Sequence, residues 1–153
     1  MHSKSQLEIT NDQTEVVQGL FKHHAKQLSL CQRLERIADS LPNNVDKQEC
    51  LSVSWQIYPA VCEAHHFEEN ALFPLLSTEE EKMPNVSKSL ERLKFEHWED
   101  ESSAEDISVS LRQLVFEPSQ TDCEKTAYML RGFFEGMRRH LAFEKEHLIS
   151  LLL

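Results

Sequence analysis

The sequence predicts an all-α protein, an up-down-up-down antiparallel four-helix bundle. Three observations carry this expectation. Apolar residues recur at spacings of three and four along four long segments, the period of an amphipathic helix. Only 3 of the 153 residues are Gly and 5 are Pro, too few for the frequent turns of an all-β fold. The breaks between segments are short clusters of turn residues, which make consecutive helices antiparallel neighbours.

The first segment is expected from about Thr14 to Ser40, through Val16, Val17, Leu20, Phe21, Leu28, Cys31, Leu34, Ile37 and Ala38. The turn cluster LPNNVD ends it. The second starts near Asp46, which has capping-box spacing to Glu49, and runs to about Leu76. Pro59 inside it predicts a kink or a local break. The charged linker STEEEKMPNVS follows, and a third segment is expected from about Ser87 to Val115. After the turn EPSQT, a second capping box at Thr121 and Glu124 opens the fourth segment, which reaches nearly to the C-terminus. Each segment is about 27–32 residues, or roughly 40–48 Å at 1.5 Å per residue. Residues 1–12 are expected to form a flexible tail and residues 13–153 the bundle, with no room for a second domain.

Charge and targeting narrow the function. A formal charge of -10 argues against nucleic acid or an anionic membrane as partner, because phosphate contacts need clustered Lys and Arg. The N-terminus shows no apolar signal region, and no stretch approaches the length of a membrane span. Cys31, Cys50, Cys62 and Cys123 form no CxxC pair, so they read as reduced thiols of a cytoplasmic protein.

The informative residues are those that interrupt the apolar seams. The second seam reads Leu51, Trp55, Tyr58, Cys62, His65, Glu69, Leu72. The third reads Leu90, Leu93, His97, Glu101, Ala104, Leu111, and the fourth Leu130, Phe133, Met137, His140, Glu144, His147, Leu151. Three helices thus carry a His followed four residues later by a Glu, and side chains at that spacing point the same way. The first seam reads Val17, Leu20, His24, Leu28, Cys31, with His23 on the other edge of the arc. A buried carboxylate costs several kcal/mol unless it is paired or bound to a cation. No Lys or Arg shares these seams. Two divalent ions would set four positive charges against the three negative ones, and imidazole with carboxylate suits iron, manganese or zinc.

Simpler readings exist residue by residue. A single His on an apolar face is most simply a hydrogen-bonded core residue, but four helices repeat the feature here. Glu101 belongs to the acidic run Glu96, Glu99, Asp100, Glu101, whose plain reading is a solvated face. His147 reads as an extra ligand, a donor to a ligand or a packed residue. Trp55, Trp98, Tyr58 and the eight Phe read as core.

The His23–His24 pair, HHFEENALFPLL (65–76), EHWEDE (96–101) and RHLAFEKEHL (139–148) resemble the hemerythrin-like family, the HHE cation-binding domain. The resemblance spans essentially the whole chain. It implies a four-helix bundle around a non-haem di-iron centre bridged by carboxylates, with roles around oxygen, nitric oxide, peroxide or iron handling. Position by position, it implies metal ligation by His24, by His65 with Glu69, by His97, and by His140 with Glu144. Glu101 stands where oxygen-carrying relatives have a second His, which makes the site richer in carboxylate and simple oxygen carriage less secure. Family spacing counted back from Leu72 selects Glu68 instead of Glu69, and the seam selects Glu69. The ligand set read from the chain is therefore His24, His65, Glu69, His97, Glu101, His140 and Glu144, with Fe as the metal and Zn or Mn as alternatives. The expected partner is a diatomic molecule or peroxide. The other functional class is a non-catalytic bundle with a structural metal, used for binding a partner protein. No nucleophile–base pair points to an organic substrate.

Overall fold

The computed structural model describes residues 2–78 and 84–152, with side chains from residue 12 onward. It is an all-α, up-down-up-down four-helix bundle, and the described residues contain no strand. Helix α1 spans His2–Ser40. Helix α2 covers residues 47–76, as an α-helix Lys47–Phe67, one π-helical turn Glu68–Leu72 and a last α-turn Phe73–Leu76. Helix α3 is Val86–Phe116. A 3₁₀ turn, Pro118–Gln120, leads into α4, residues 123–152, which repeats the α2 pattern: α-helix Cys123–Phe143, π-turn Glu144–Ile149 and α-turn Ser150–Leu152.

The helix ends have local causes. At α2 the Glu49 N–H donates to Asp46 Oδ1 (3.1 Å), the cap the sequence predicts. At α4 the cap is Asp122, whose Oδ1 accepts from Lys125 N–H (3.1 Å), and not Thr121. Thr121 turns its hydroxyl to the Glu117 carbonyl (2.8 Å), at the start of the preceding 3₁₀ turn. Asn85 precedes α3 with φ 65°, a left-handed conformation that Asn tolerates better than most residues. Pro59 does not break α2, which runs through it. Helix α1 begins at His2, well before Thr14, because no Gly or Pro lies in that stretch to stop it. The apolar period marks where a helix is buried, not where it starts.

The core comes in two parts. One apolar cluster is built from Leu30–Ala38 of α1, Cys50–Val61 of α2, Ala104–Leu114 of α3 and Leu130–Leu141 of α4. The other holds Val17 and Leu20 of α1, Leu72, Phe73 and Leu76 of α2, Val86, Leu90 and Leu93 of α3, and Leu148, Ile149 and Leu152 of α4. The sequence between the two clusters contains, on the four helices in order, His24 and Gln27, His65 and Glu68, His97, and Glu144, all buried. One polar layer thus crosses the bundle at a single height. Helix α2 packs most closely on α3 and α1 on α4, while the α3–α4 seam is thin.

The inner line of α2 is rotated from the expected seam. It runs Cys50, Val53, Ser54, Ile57, Ala60, Val61, Ala64, His65, Glu68. Small residues fill the inside, and the aromatic ones flank it: Trp55 is 65 % exposed beneath the Arg112 guanidinium, 4.5 Å from the ring centre. Tyr58, Trp98, Leu28, Phe21, Phe95, Phe116 and Phe143 are also exposed, so none of them is core. In α1 the inward position expected of Leu28 belongs to Gln27.

Two helical glycines separate close packing from propensity. A Cβ on Gly19 would lie 2.5 Å from Phe67 Cζ, whereas one on Gly132 would meet nothing within 4 Å. Gly132→Ala is expected to raise stability by about 0.5–1 kcal/mol and Gly19→Ala to lower it. Urea unfolding checks both, and an equal gain at the two positions would contradict the α1–α2 approach described here.

Candidate metal centre

Each buried polar side chain is carried inward by its helix phase and held by the apolar clusters on either side. Glu144 is the hub. His24 Nε2 from α1 lies 2.7 Å from its Oε2, and His140 Nε2, one turn back on α4, lies 2.5 Å from its Oε1. Glu68 from α2 hydrogen-bonds Glu144 and brings its own Oε2 to 2.7 Å from His97 Nε2 of α3. Glu68, His97, His140 and Glu144 each offer a ligand atom within 4.8 Å of the others. The imidazoles of His65 and His97 stack in parallel, 3.8 Å apart and 6° from coplanar, and Phe73 stacks beyond His97 at 5.6 Å.

The π-turns aim the carboxylates. Glu68 and Glu144 each begin one. The wider turn brings the residues four and five positions ahead onto the inner face, Leu72 with Phe73 and Leu148 with Ile149, all buried. In an uninterrupted α-helix His147, three ahead of Glu144, would share that face. Its side chain is 59 % exposed.

Electrostatically the layer is unbalanced. Two carboxylates are buried, and no Lys or Arg is buried among the described residues. Burial pushes the Glu144 carboxyl up, but hydrogen bonds from His140, His24 and Glu68 outweigh it and hold the group well below the ordinary carboxylate range. Burial, then the neighbouring Glu144, drives Glu68 well above that range, so the pair shares one proton. Burial, with His97 and His140 adding to it, lowers His65 from the ordinary 6.5 to about 3. His97 is lowered by burial too. At His140 burial opposes protonation, but the bond to Glu144 prevails and raises it.

The unsatisfied atoms show what the layer fits. His65 Nδ1 and Nε2, His97 Nδ1 and Nε2 and Glu68 Oε2 are buried without a well-formed hydrogen bond. His97 Nε2 and Glu68 Oε2 approach to 2.7 Å without hydrogen-bond geometry. Buried polar atoms are normally paired, and the ligand atoms of Glu68, His97, His140 and Glu144, within 4.8 Å of one another, are a set that a cation satisfies. Neutral imidazoles and carboxylates are also the right donors for it.

Of the residues expected at a metal, His24, His65, His97, His140 and Glu144 share this layer. The buried place expected of Glu69 is taken by Glu68. Glu69 and Glu101 stand at the rim, their side chains 36 % and 32 % exposed, 3.7 Å from His97 Nδ1 and 3.4 Å from His65 Nδ1 respectively. His23 lies at the edge against Phe67, ring centres 5.0 Å apart. Asp100 escaped the sequence reading because it sits in an acidic run. Burial, opposed by His140 and assisted by Glu96 and Glu99, pushes its carboxyl up to about 6. Gln27 also went unseen: the polar side chain donates to Met137 Sδ (3.6 Å) under the site, and no periodicity distinguishes it from Leu28.

A four-helix bundle with a buried His–carboxylate layer defines a class of metal-binding proteins. The sequence profile of the hemerythrin HHE cation binding domain matches residues 15–152, so the chain belongs to that family. No curated protein and no solved structure matches it.

The histidine shifts carry a sign. His65, neutral in the folded chain down to about 3, binds fewer protons than the unfolded chain below 6.5. Folded stability of the metal-free protein is therefore lost as pH falls from 6.5 toward 3, with His65 contributing up to about 1.4 kcal/mol per pH unit. Urea unfolding of metal-free protein at several pH values should show a shallower acid loss in His65→Asn, and an identical slope would contradict the burial of a neutral imidazole.

Proposed function

We propose that the layer holds two iron ions, and that the protein binds, senses or detoxifies oxygen, nitric oxide or peroxide, or handles iron. One observation supports this most strongly: the two oxygens of Glu144 serve two different histidines, His24 and His140, from two different helices. That is the disposition of a bridging carboxylate. In this reading His24, His65, His97 and His140 would supply nitrogen ligands, and Glu144 and Glu68 would supply carboxylate ligands. Glu68 is preferred to Glu69 because it is the buried one. Two divalent ions would carry +4 into a layer with two buried carboxylates, moving the chain's charge from -10 toward about -6. Zinc or manganese would satisfy the same donors.

When bound, a redox-active pair of ions would supply electrons to a small oxidant. The protein's part is access and proton supply. A cavity of about 390 Å³ opens between α3 and α4 and is walled by Leu93, Phe143 and Leu148, with His140 at its edge. It has room for a diatomic molecule or peroxide, with Leu93, Phe143 and Leu148 on its apolar side and Arg92, Glu96 and Arg139 on its charged side. Asp100, with its carboxyl pushed up to about 6 and its charge felt by His140, can carry a proton between solvent and the cluster near neutral pH. Helix α3 brings a single imidazole, His97, into the layer among the described residues, which fits redox handling better than simple oxygen carriage. The four free cysteines agree with a cytoplasmic setting. Among the described residues no helix is long and apolar enough to cross a membrane.

An exposed aromatic pair on α3, Phe95 and Trp98 with ring centres 6.1 Å apart, favours the second reading, a structural-metal bundle that binds a partner protein. One experiment separates the two. Protein purified anaerobically is expected to hold two irons per chain, to show a coupled pair by Mössbauer spectroscopy, and to change its optical spectrum on adding peroxide or nitric oxide. A metal spectrum indifferent to both oxidants would favour the structural bundle, and a mononuclear or metal-free protein would sink the di-iron reading.

A further inference from the structure

Two openings approach the polar layer, and they differ in sign. The α3–α4 cavity beside His140 is lined by Arg92 and Arg139. Arg92 pairs with Glu96 at 3.3 Å. On the other side, between α2 and α3, a surface depression of about 400 Å³ is lined by Cys62, Glu63, His66, Glu69 and Glu101. It has no basic lining residue except His66. Lys26 reaches only Glu63, at 3.3 Å.

The floor of this depression is unusual. Glu69 and Glu101 each keep one side in water and bring Oε1 toward a buried imidazole, 3.7 Å from His97 Nδ1 and 3.4 Å from His65 Nδ1. Both rings are 2 % exposed, and both Nδ1 atoms lack a hydrogen-bond partner. The parallel stacking of the two rings turns the two nitrogens to the same rim.

We infer that this acidic rim is a loading port for divalent cations, where Glu69 and Glu101 take an ion from water and pass it to His97 and His65. The inference rests on the reading of the buried layer as a metal centre. An ion bound for that layer must shed its water, and without intermediate ligands it would meet the full desolvation cost at once. A half-exposed carboxylate replaces part of the hydration shell while the rest stays in place. The next ligand inward is then a neutral imidazole already facing the ion. Negative charge at the rim also raises the local cation concentration, and the arginines at the other opening lower it there. Glu69 and Glu101 serve uptake in this account and are not ligands of the loaded centre.

The test is stopped-flow uptake of cobalt(II) by full-length metal-free protein, followed by its visible absorption, with the final cobalt content measured at equilibrium. The variants are Glu69→Gln, Glu101→Gln and their double, with Glu124→Gln at the far end of the bundle as a control for net charge. Loading of the double variant is expected to slow by about 10-fold or more. Its final cobalt content and thermal stability should match the wild type, and the control should load normally. Wild-type uptake should also slow with added salt, as screened attraction requires. Unchanged loading in the double variant would overturn the port. A lower final content would overturn it too, by making Glu69 or Glu101 a ligand. Wild-type protein that takes up no cobalt would instead overturn the metal centre on which the port depends.

Discussion

Glu144 is a carboxylate buried in a helical bundle, with His24 on one oxygen and His140 on the other. Much of the structure follows from accommodating it. An ionised group in that position must be paired on every side, so α1 and α2 have to present His24 and Glu68 at its height. The apolar clusters above and below then fix the relative positions of all four helices. Removing any one partner leaves the others as unpaired buried groups, which ties the fold and the site together.

The π-turns solve a geometric problem that a regular helix does not. A bundle seam needs apolar residues in unbroken succession, yet the carboxylate must reach the axis. Widening one turn right after His65 in α2 and after His140 in α4 lets the Glu project inward and still returns two large apolar residues to the face directly after it. The same widening turns His147 out to solvent. Similar local solutions in two helices of unrelated sequence indicate that the layer, and not local propensity, sets this backbone.

The fold was readable from the chain because four helices in a small domain impose a strong period. The histidines were readable for a related reason: each interrupts an otherwise apolar face. The carboxylates were harder. The apolar period favours Glu69 over Glu68 because Trp55 and Tyr58 draw the apparent α2 seam toward their own flank, whereas non-aromatic residues line the inside. Glu101 lies one helical turn beyond His97, and an ideal helix aims both inward. In the bundle its carboxylate stops at the rim, near His65. Asp100 and Gln27 carry no periodic signature, since a polar residue near a core looks like any surface residue until the neighbouring helix is in place.

The result is a negatively charged, imidazole-rich layer with a basic, partly apolar opening on one side and an acidic one on the other. In the reading proposed above, its chemistry would depend on two ions held about the Glu144 carboxylate. Anomalous diffraction at the iron absorption edge, from crystals of iron-loaded protein, tests this most directly. The account predicts two peaks within the layer, one toward each oxygen of Glu144, with Glu68 coordinated and the carboxylates of Glu69 and Glu101 outside the coordination sphere. A single peak, or peaks coordinated by Glu69 and Glu101 with Glu68 free, would contradict it.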